Sequence, residues 1–453
     1  MKITVIGAGY VGLVSAACFS DFGYDVVCVD KDAGKVARLR DGQIPIYEQG
    51  LEPIVAGNLR AGRLTFTEDL KGSVAAADVV LIAVGTPTRP GDDAADMSYV
   101  YAAAEEVAQA MRGFTVIVTK STVPVGTAAK LREIIGKARP DGDFEVASNP
   151  EFMREGSAVE DFLRPDRVVV GVSDERAERV LRQLYRPLTA KQVPLVVTSC
   201  ETAEVIKYAA NTFLATRIAF VNQLADLCEK VGADIQDVAQ GMGLDKRIGL
   251  QFLAPGPGFG GSCFPKDTRA LAHTARQAGS TFTIVENVIA SNEARKRSLA
   301  DRIAKVVGGS LKDKRIAVLG IAFKADTDDI RDAAALTLIP ELQQRGAAVA
   351  AFDPVAMDNG RGQFDGVQWC ADAYSAVMGA NAVVILTEWN VFRGLDLKRM
   401  ARAMRDPVMV DFRNLFTLAD VRNSGLVYHS IGRESIVPPE AKAEVIPFKS
   451  GAL

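Results

Sequence analysis

The sequence predicts an α/β protein with a doubly wound parallel sheet near each end of the chain and a helical region between them. Three observations predict this fold. Short apolar runs alternate with helical patterns from the start to residue 150, the same alternation returns from residue 315, and the stretch from 198 to about 300 shows helical patterns without strand runs. Buried strands that alternate with helices are typical of parallel sheets covered on both faces. We therefore expect three regions, residues 1–197, 198–305 and 306–453.

The elements follow from these runs in chain order. The strand runs of the first sheet are ITVIGAG from residue 3, then residues 25–30, 77–84, 115–120 and 144–150, and those of the second are 315–323, 347–354, 380–389 and 407–414. Between them, apolar residues continue at helical spacing from Val205 past Leu227, and Thr198 with Glu201 predicts a capping box. Such a helix is long enough to bridge the two sheets and to pair with a copy of itself. The tail after Pro438 is expected to be loosely attached.

Composition limits the classes of function. The 453 residues, 48% hydrophobic and 24% charged, are too many for one ordinary core and are typical of a globular protein. A net charge of −3 with interspersed signs provides neither a basic stripe for nucleic acid nor a polybasic membrane patch. No apolar run approaches the ~18 to 20 residues that span a bilayer. The six cysteines lack paired spacing, which indicates a reducing cytoplasm, and no cluster has metal-ligand spacing, so no metal is expected.

The first functional motif is GAGYVG, in which Gly7, Gly9 and Gly12 stand between a strand and an apolar helix. The first glycine allows a tight turn, the second lets the backbone approach a pyrophosphate, and the third lets the helix pack on the strand. Asp30 closes the second strand, where a carboxylate accepts from ribose hydroxyls and repels a 2′-phosphate. This Rossmann-like fingerprint favours NAD over NADP, although two nearby lysines, Lys35 among them, argue in the other direction. A glycine-rich turn in a nucleotide-free sheet is the alternative.

Cys263, in the run GFGGSCFPKD, is a candidate sulfur nucleophile. A buried core cysteine is the ordinary alternative. Against it, three adjacent glycines allow close approach of the backbone to a ligand, while Lys266 and Asp267 bring charges that an apolar core would reject. A thiol needs a cation or a helix N-terminus to become a useful thiolate near neutral pH, and Lys207 or Lys266 could supply the cation.

Two further pairs of polar residues are spaced four apart. Lys207 and Asn211 project from one face of a predicted helix whose other face is apolar, with a solvated surface pair as the alternative. Glu151 and Glu155 follow a predicted strand, at the edge where open α/β sheets place their ligands. A charged surface turn is the alternative for this second pair.

Seven motifs, in this order along nearly the whole chain, resemble the UDP-glucose 6-dehydrogenase family within the wider group of nucleotide-sugar dehydrogenases. They are GAGYVG with Asp30, GTPT (85–88), KSTVPVGT (120–127), SNPEFMREG (148–156), KYAANTF (207–213), GFGGSCFPKD (258–267) and FKADTDDIRD (323–332). The resemblance implies two Rossmann-like doubly wound domains, the first binding NAD and the second UDP, with a central helical dimerisation region between them. This arrangement agrees with the three regions above.

The resemblance also implies roles for the matching residues. The implied catalytic residues are Cys263 as nucleophile, Lys207 and Asn211 as oxyanion stabilisers, Asp267 with Thr122 as the group that positions a water or takes the first proton, and Glu151 for the hydrolytic step. The implied cofactor-binding residues are Gly7, Gly9, Val11, Gly12, Asp30, Lys35, Thr86, Thr122, Glu155, Lys266 and Arg331. The implied substrate-binding residues are Glu151, Phe152, Met153, Arg154, Glu155, Lys207, Asn211, Phe252, Leu253, Ala254, Pro255, Gly256, Gly260, Phe323 and Lys324, with Arg247 entering from a neighbouring subunit and Arg413 as an additional candidate.

The implied reaction is the four-electron oxidation of UDP-glucose to UDP-glucuronate by a cytoplasmic homodimer. Two NAD are reduced per sugar, through a thiohemiacetal and then a thioester of Cys263. A GDP-mannose or UDP-N-acetylhexosamine dehydrogenase is the alternative among enzymes, because it would share most of the motifs. The alternative that is not an enzyme is a nucleotide-binding regulator that has the same fold but does not catalyse the reaction.

Overall fold

The computed structural model of the chain describes residues 1–89, 91 and 93–438. The chain divides into two compact units, and each contains two separate stretches of sequence. The first unit comprises Met1–Thr212 and Lys266–Phe282, and the second comprises Phe213–Pro265 and the residues from Thr283 onward. The tail after Pro438, which the sequence predicts to be loosely attached, lies outside the described residues.

The first unit is built on one sheet with the strand order β3-β2-β1-β4-β5-β6-β7-β8. Its strands are β1 Lys2–Ile6, β2 Asp25–Val29, β3 Leu64–Thr67, β4 Val79–Ile82, β5 Thr115–Thr119, β6 Phe144–Ser148, β7 Val168–Gly171 and β8 Leu195–Thr198. Its helices are α1 Tyr10–Asp21, α2 Ala33–Arg40, α3 Leu51–Arg60, α4 Leu70–Ala75, α5 Ser98–Ala110, α6 Thr127–Ala138, α7 Ala158–Leu163, α8 Glu175–Leu184 and α9 Arg186–Thr189. Neighbouring strands are parallel except at β6 and β7, which pair antiparallel. The strand order reverses between β1 and β4, where open sheets of this kind bind ligands at the carboxyl ends of their strands.

Four helices follow the first sheet: α10 Cys200–Val231, α11 Ile235–Gly243, α12 Phe264–Gln277 and α13 Thr283–Val306. The division between the units falls within α10. The predicted capping box at Thr198 and Glu201 is wrong by one residue. The carbonyl of Ser199 accepts the first helical bond, from Ala203 (3.0 Å), and its Oγ accepts the backbone N–H of Thr202 (3.2 Å), so Ser199 caps α10.

The sheet of the second unit has the order β11-β10-β9-β12-β13-β14, and all its neighbouring strands are parallel. Its strands are β9 Arg315–Leu319, β10 Ala348–Phe352, β11 Gln368–Trp369, β12 Ala382–Ile385, β13 Val408–Asp411 and β14 Val427–Ser430. Its helices are α14 Ala334–Gln344, α15 Met357–Arg361, α16 Ala373–Val377, α17 Asn390–Arg393, α18 Leu397–Ala403 and α19 Leu418–Arg422. The predicted fold class is therefore confirmed.

Burial explains which strands could be predicted from the sequence. Every residue of β4 and of β12, in the middle of the two sheets, is buried, and both strands are continuous apolar runs. The strands that the sequence did not reveal include β8, a half-exposed edge strand, and β11, which has only two residues. None of the helices in the described part of the chain combines the length and the apolar character that crossing a bilayer requires.

Candidate functional site

The turn between β1 and α1 holds the three glycines of the first motif. Gly7 has φ +101° and donates its N–H to the carbonyl of Val29 (2.7 Å), and a Cβ there would lie 2.7 Å from the carbonyl oxygen of Ala83. A Cβ on Gly12 would overlap the carbonyl oxygen of Gly7. At Gly9, by contrast, no described atom lies within 4 Å of such a Cβ. The protein's own packing therefore requires glycine at positions 7 and 12, whereas Gly9 leaves the start of α1 open for a phosphate.

Asp30 follows β2 beside this turn. Its Oδ2 accepts the N–H of Ala8 (2.7 Å) and the ammonium of Lys35 (3.0 Å), and its Oδ1 accepts the N–H of Asp32 (3.0 Å). Burial alone would raise the pKa of Asp30, but these two N–H groups and Lys35 hold that pKa below its ordinary value. The ionised carboxylate suits ribose hydroxyls and repels a 2′-phosphate. Lys35 is the lysine that argued for a 2′-phosphate, but its ammonium is bound to Asp30. The arrangement therefore fits NAD.

Loops at the carboxyl ends of β4 and β5 bring two more predicted cofactor residues together. Thr86 is buried, and its Oγ1 donates to the carbonyl oxygen of Thr122 (2.9 Å). Val11 in α1 and Glu155 in the loop after β6 are both half-buried, and the neighbouring Gly156 is buried. The hydrogen bond fixes the Thr122 loop to the loop after β4, at the edge where the strand order reverses.

Glu151 and Lys207 form a buried ion pair in the first unit. Lys207 Nζ lies 2.9 Å from Glu151 Oε1, and the two side chains are 3% and 6% exposed. Burial would raise the pKa of Glu151, but the ammonium of Lys207, the N–H of Met153 on Oε2 (2.6 Å) and the charge of Lys120 hold it below its ordinary value. The surface alternatives for both residues are therefore wrong. A buried and strongly coupled pair of this kind is typical of functional sites.

One helical turn further along α10, Asn211 reaches the first turn of α12. Its Nδ2 donates to Asp267 Oδ2 (2.6 Å), and Lys266 Nζ donates to Asp267 Oδ1 (2.6 Å). The side chain of Asp267 is 1% exposed, so both oxygens of a buried carboxylate are engaged by an amide and an ammonium.

The residues beside Glu151 differ in their surroundings. The ring of Phe152 lies close to two cations, with the guanidinium of Arg167 at 3.7 Å from its centroid and the ammonium of Lys207 at 5.3 Å. Arg154 is exposed and forms an ion pair with Asp161 (2.7 Å). Phe152 therefore covers the Lys207 ammonium, while Arg154 points to the surface.

The sequence reasoning missed Lys120, at the end of β5. Its side chain is buried, and its Nζ donates to Asn149 Oδ1 (3.0 Å), a residue that also accepts from the hydroxyl of Tyr185. Burial lowers the pKa of Lys120 to about 8, with the negative Glu151 raising it and the positive Lys207 lowering it. The sequence did contain a signal for Lys120, because a lysine that ends a strand run without any other charged residue has no solvent-facing position in a two-sided sheet.

In the second unit, Cys263 differs from the other cysteines. Cys263 is half-buried, with its Sγ 3.6 Å from the hydroxyl of Ser262, whereas the other five cysteines are buried. Burial raises the pKa of Cys18 and of Cys28 to about 12, which keeps both as thiols. All six cysteines lie in the described part of the chain and no disulfide joins them. Cys263 is the one thiol of the chain with partial access to solvent.

The glycine loop before Cys263 packs on the loop that follows β9. A Cβ on Gly261, which has φ +81°, would lie 2.7 Å from the ring of Phe323, and a Cβ on Gly260 would overlap the carbonyl oxygen of Asp332. Gly261 donates its N–H to the carbonyl of Arg331 (2.8 Å). The motifs GFGGSC and FKADTDDIRD, widely separated in sequence, therefore meet.

Of the other predicted residues in this unit, Arg413 belongs to the same group, because its Nη2 donates to the carbonyl of Phe323 (2.6 Å). Lys324 Nζ lies 5.8 Å from the ring centroid of Phe323. Two arginines are exposed and bind neighbouring carboxylates: Arg331, 64% exposed, binds the buried Asp329, and Arg247, 89% exposed, binds Asp245. The run Phe252, Leu253, Ala254, Pro255 and Gly256 leads into the glycine loop, with Leu253, Pro255 and Gly256 buried and Ala254 exposed.

The predicted residues thus fall into two groups, one in each unit. The first unit assembles the glycine turn with Asp30 and Lys35, the Thr86–Thr122 contact, and the pairs Glu151–Lys207 and Asn211–Asp267. The second unit assembles Cys263 with the loops around Phe323 and Arg413. Among the described residues, no group of three or more His, Cys, Asp and Glu side chains is placed to hold a metal ion.

A glycine turn with an ionised carboxylate at a strand end is typical of a dinucleotide-binding protein, and the buried ion pairs in the same unit are typical of a functional site. Comparison with known proteins specifies the family. The chain matches the models of the UDP-glucose/GDP-mannose dehydrogenase family for its NAD binding domain (residues 1–189), its central domain (201–294) and its UDP binding domain (317–418). The chain belongs to this family, so the predicted family and the predicted NAD cofactor are confirmed.

Individual relatives agree with this assignment. The chain is 55% identical to the UDP-glucose 6-dehydrogenase of Rhizobium meliloti, over 96% of this chain and 100% of the relative, and 46% identical to UDP-glucose 6-dehydrogenase TuaD of Bacillus subtilis, over 98% and 96%. A solved UDP-glucose dehydrogenase from Pyrobaculum islandicum is 39% identical with a TM-score of 0.89, covering 96% of this chain and 98% of that one. A UDP-D-ManNAc dehydrogenase from Pyrococcus horikoshii is 27% identical with a TM-score of 0.84, covering 96% and 99%.

Proposed function

We propose that this chain oxidises UDP-glucose to UDP-glucuronate, with two NAD reduced per sugar. The observation that carries the proposal is Cys263, a half-buried thiol on a glycine loop in a chain whose other cysteines are buried. A dehydrogenase that stops at the aldehyde needs no nucleophile, whereas a second oxidation through a thioester does. The names of the relatives at 55% and 46% identity support UDP-glucose as the substrate.

In the first oxidation, the hydroxyl at C6 of the sugar loses a proton and a hydride. The turn of Gly7, Gly9 and Gly12 with Asp30 would hold NAD, which would supply the hydride acceptor for each oxidation. The ammonium of Lys207 and the amide of Asn211 stabilise the negative charge that develops on the C6 oxygen. Asp267, with a water positioned by Thr122, takes the proton.

In the second oxidation, the Cys263 thiolate adds to the aldehyde carbon and the aldehyde oxygen takes up a proton, which gives a thiohemiacetal. Loss of a hydride and a proton from this adduct gives a thioester. Water then attacks the thioester, with Glu151 accepting its proton, and the products are the carboxylate and the Cys263 thiol. The ammonium of Lys207 donates a hydrogen bond to Glu151 and favours the ionised carboxylate, which is the form that can accept this proton.

The remaining predicted residues complete the proposal as binding groups. We assign Val11, Lys35, Thr86, Glu155, Lys266 and Arg331 to the cofactor, and Phe152, Met153, Arg154, the 252–256 run, Gly260, Phe323, Lys324 and Arg413 to the sugar nucleotide. We assign residues 1–197 to NAD binding, 198–305 to the helical connection and 306–453 to UDP binding.

We also propose a cytoplasmic homodimer formed through α10. The exposed apolar residues Phe213, Phe220 and Leu227 recur on this helix at heptad spacing, with exposures of 62%, 54% and 52%. Arg247, in the same unit, is 89% exposed and is available to a neighbouring subunit. Light scattering should show a dimer that the change Phe220→Glu converts to a monomer, and a wild-type monomer would refute this part of the proposal.

Counting NADH per UDP-glucose tests the reaction. We expect two NADH per sugar with the acid as product, and one NADH with an aldehyde product would reject the covalent second step. The change Cys263→Ala should leave nucleotide binding intact and abolish acid formation. The buried Cys370 offers a matched control, because Cys370→Ala removes a thiol of the same unit and should keep two NADH per sugar.

Two alternatives are tested in the same assay. A GDP-mannose or UDP-N-acetylhexosamine dehydrogenase would reduce NAD faster with those sugar nucleotides than with UDP-glucose. A regulator without the reaction would bind the nucleotides and produce no NADH. Retention of Cys263, Lys207 and Asp267 favours the enzyme.

A further inference from the structure

The backbone that leads to Cys263 is held at two residues, Gly256 and Phe259, by buried side chains from the helices α10 and α13. At Gly256, the N–H donates to Asn222 Oδ1 (2.8 Å), and the carbonyl accepts from Arg295 Nε (2.6 Å). At Phe259, the N–H donates to Asn292 Oδ1 (2.8 Å), and the carbonyl accepts from Asn292 Nδ2 (3.1 Å). Both polar backbone groups of each residue are therefore bonded to a side chain.

These side chains lie out of reach of solvent. Asn222 is 3% exposed, Asn292 is 4% exposed and Arg295 is 9% exposed. The guanidinium of Arg295 is itself oriented by the carbonyl of Asn222 (3.2 Å) and by the carboxylate of Asp226 (3.0 Å). A buried polar group without a partner costs about 1–3 kcal/mol, so each bond strongly favours this one loop position over others.

The side chain of Asn292 is suited to binding the backbone of Phe259. Its amide offers one acceptor and two donors on a single rigid group, so Asn292 can pair with both the N–H and the carbonyl of Phe259. Gly258, between the two held residues, has φ +116°, and a Cβ there would lie 2.9 Å from Asn292 Oδ1. The asparagine and the glycine fit each other closely.

The opposite side of the loop is fixed as well, because Gly260 and Gly261 press against Phe323 and the backbone of Asp332. The loop is therefore fixed between the helices and the loop after β9 within the second unit. Cys263 comes two residues after Gly261, so the position of its thiol depends on this fixed backbone.

We propose that Asn292, together with Asn222 and Arg295, is the positioning device that sets the place of the Cys263 thiol for the second oxidation. The inference rests on the proposed function, because a positioned nucleophile matters only where the thiol must meet the aldehyde carbon. None of the three side chains needs to touch the substrate. They act through the backbone of the loop, and displacement of a reacting group by about 1 Å costs roughly 100-fold in rate.

The test compares changes at Asn292 with changes at Asn287, an exposed asparagine on the same helix. Asn292→Asp keeps the acceptor for the Phe259 N–H but sets a second oxygen against the Phe259 carbonyl, and Asn292→Ala removes both bonds. We expect both to slow the second oxidation about 10–100-fold and the first less than threefold, so that aldehyde accumulates and fewer than two NADH form per sugar. Asn287→Asp and Asn287→Ala should behave as wild type.

A merely structural role would lower both oxidations equally, because it would only reduce the amount of folded protein. Equal loss in the two steps, or wild-type ratios in the Asn292 variants, would overturn the inference. Should the Asn292 variants fail to fold, Asn222→Ala, which removes the acceptor for the Gly256 N–H, decides the question by the same ratio.

A second measurement does not depend on activity. Alkylation of Cys263 by iodoacetamide, followed by mass spectrometry, should be at least threefold faster in Asn292→Ala than in wild type or Asn287→Ala, and equal rates would overturn the inference. If the wild-type chain does not oxidise UDP-glucose, the proposed function fails, while the alkylation rates still decide whether Asn292 sets the position of the thiol.

Discussion

Gly7 in the first sheet and Gly320 in the second follow the first strand of their sheets and have the same geometry. Their φ angles are +101° and +89°, and each donates its N–H to the last residue of the neighbouring strand, Val29 (2.7 Å) or Phe352 (2.8 Å). Neither position tolerates a side chain, since a Cβ on Gly320 would collide with Thr387 as one on Gly7 would with Ala83. The first strand of each sheet therefore ends in the same turn.

The aspartates that follow the second strands differ in their bonding. Asp353 is fully buried and accepts four backbone N–H groups and the indole N–H of Trp389 (3.1 Å). Asp30 accepts two backbone N–H groups and Lys35, and its side chain is 13% exposed. The carboxylate of Asp353 has no remaining capacity for a ligand, whereas that of Asp30 can still accept from a ribose.

The segments after the two glycines differ as well. In the first unit α1 begins at Tyr10, so a helix N-terminus directly follows the turn. In the second unit α14 begins only at Ala334, and the intervening loop carries Phe323 and Arg331. The comparison teaches that the turn alone does not define a dinucleotide site. The bonding of the aspartate and the start of the helix decide whether the turn binds a ligand or only closes the sheet.

The largest expected effect is on stability in the second unit. Asp353→Ala leaves five buried donors without an acceptor and should lower the free energy of unfolding of that unit by about 3–5 kcal/mol. Urea unfolding followed by tryptophan fluorescence measures this, because both tryptophans, Trp369 and Trp389, lie in the second unit. The control Asp372→Ala removes only a helix cap and should cost about 1 kcal/mol. Equal losses in the two variants would contradict the structural role of Asp353.

The next effect is on binding in the first unit. Asp30→Ala should raise the Kd for NAD about 10–100-fold, because a hydrogen bond to a charged group contributes about 1.5–3 kcal/mol. The tryptophan unfolding curve should not move. Calorimetric titration with NAD measures the Kd, and Asp32→Ala, which removes only the cap of α2, is the matched control with an expected change below threefold. Unchanged NAD binding in Asp30→Ala would remove the distinction between the two aspartates.

A smaller effect separates Gly9 of the first turn from Gly320. Gly9 has φ −78°, so Gly9→Ala should change the thermal stability by less than about 0.5 kcal/mol while raising the Kd for NAD about tenfold, because the methyl group occupies the open side of the turn. Gly320→Ala should do the reverse, with a clear loss of stability and normal NAD binding. The idea fails if Gly9→Ala unfolds early or binds NAD as wild type does.

The smallest effect is a dependence on pH. The pKa of Asp30 in the folded chain lies below its unfolded value of 3.8, so the carboxylate contributes stability above that pH and loses it as the pH falls through the folded value. Asp30→Asn lacks this contribution. Between neutral pH and about pH 3, the wild type should therefore lose more stability than the variant, as measured by urea unfolding at each pH. Parallel curves would show that Asp30 is not stabilised as a carboxylate.

Much of the fold and part of the candidate site could be predicted from the sequence. Central strands such as β4 and β12 are continuous apolar runs because both of their faces are buried, and Gly7 and Gly12 of the first turn are required by contacts that any Cβ would break. The edge strands β8 and β11 gave no such signal, because they are short or half-exposed. The antiparallel pair of β6 and β7 was not predictable either, since strand direction leaves no mark on composition.

The sequence by itself determined the two sheets, the order of the motifs and the residue types that the chemistry needs. The tertiary structure alone decided which of those residues meet. The pairs Glu151–Lys207 and Asn211–Asp267 are each 56 residues apart, and Lys120 and Asn292 reach their partners only through the packing of separate elements. The physical reason is that periodicity records which face of an element is buried, whereas a hydrogen bond requires a distance near 3 Å, which only the folded backbone sets.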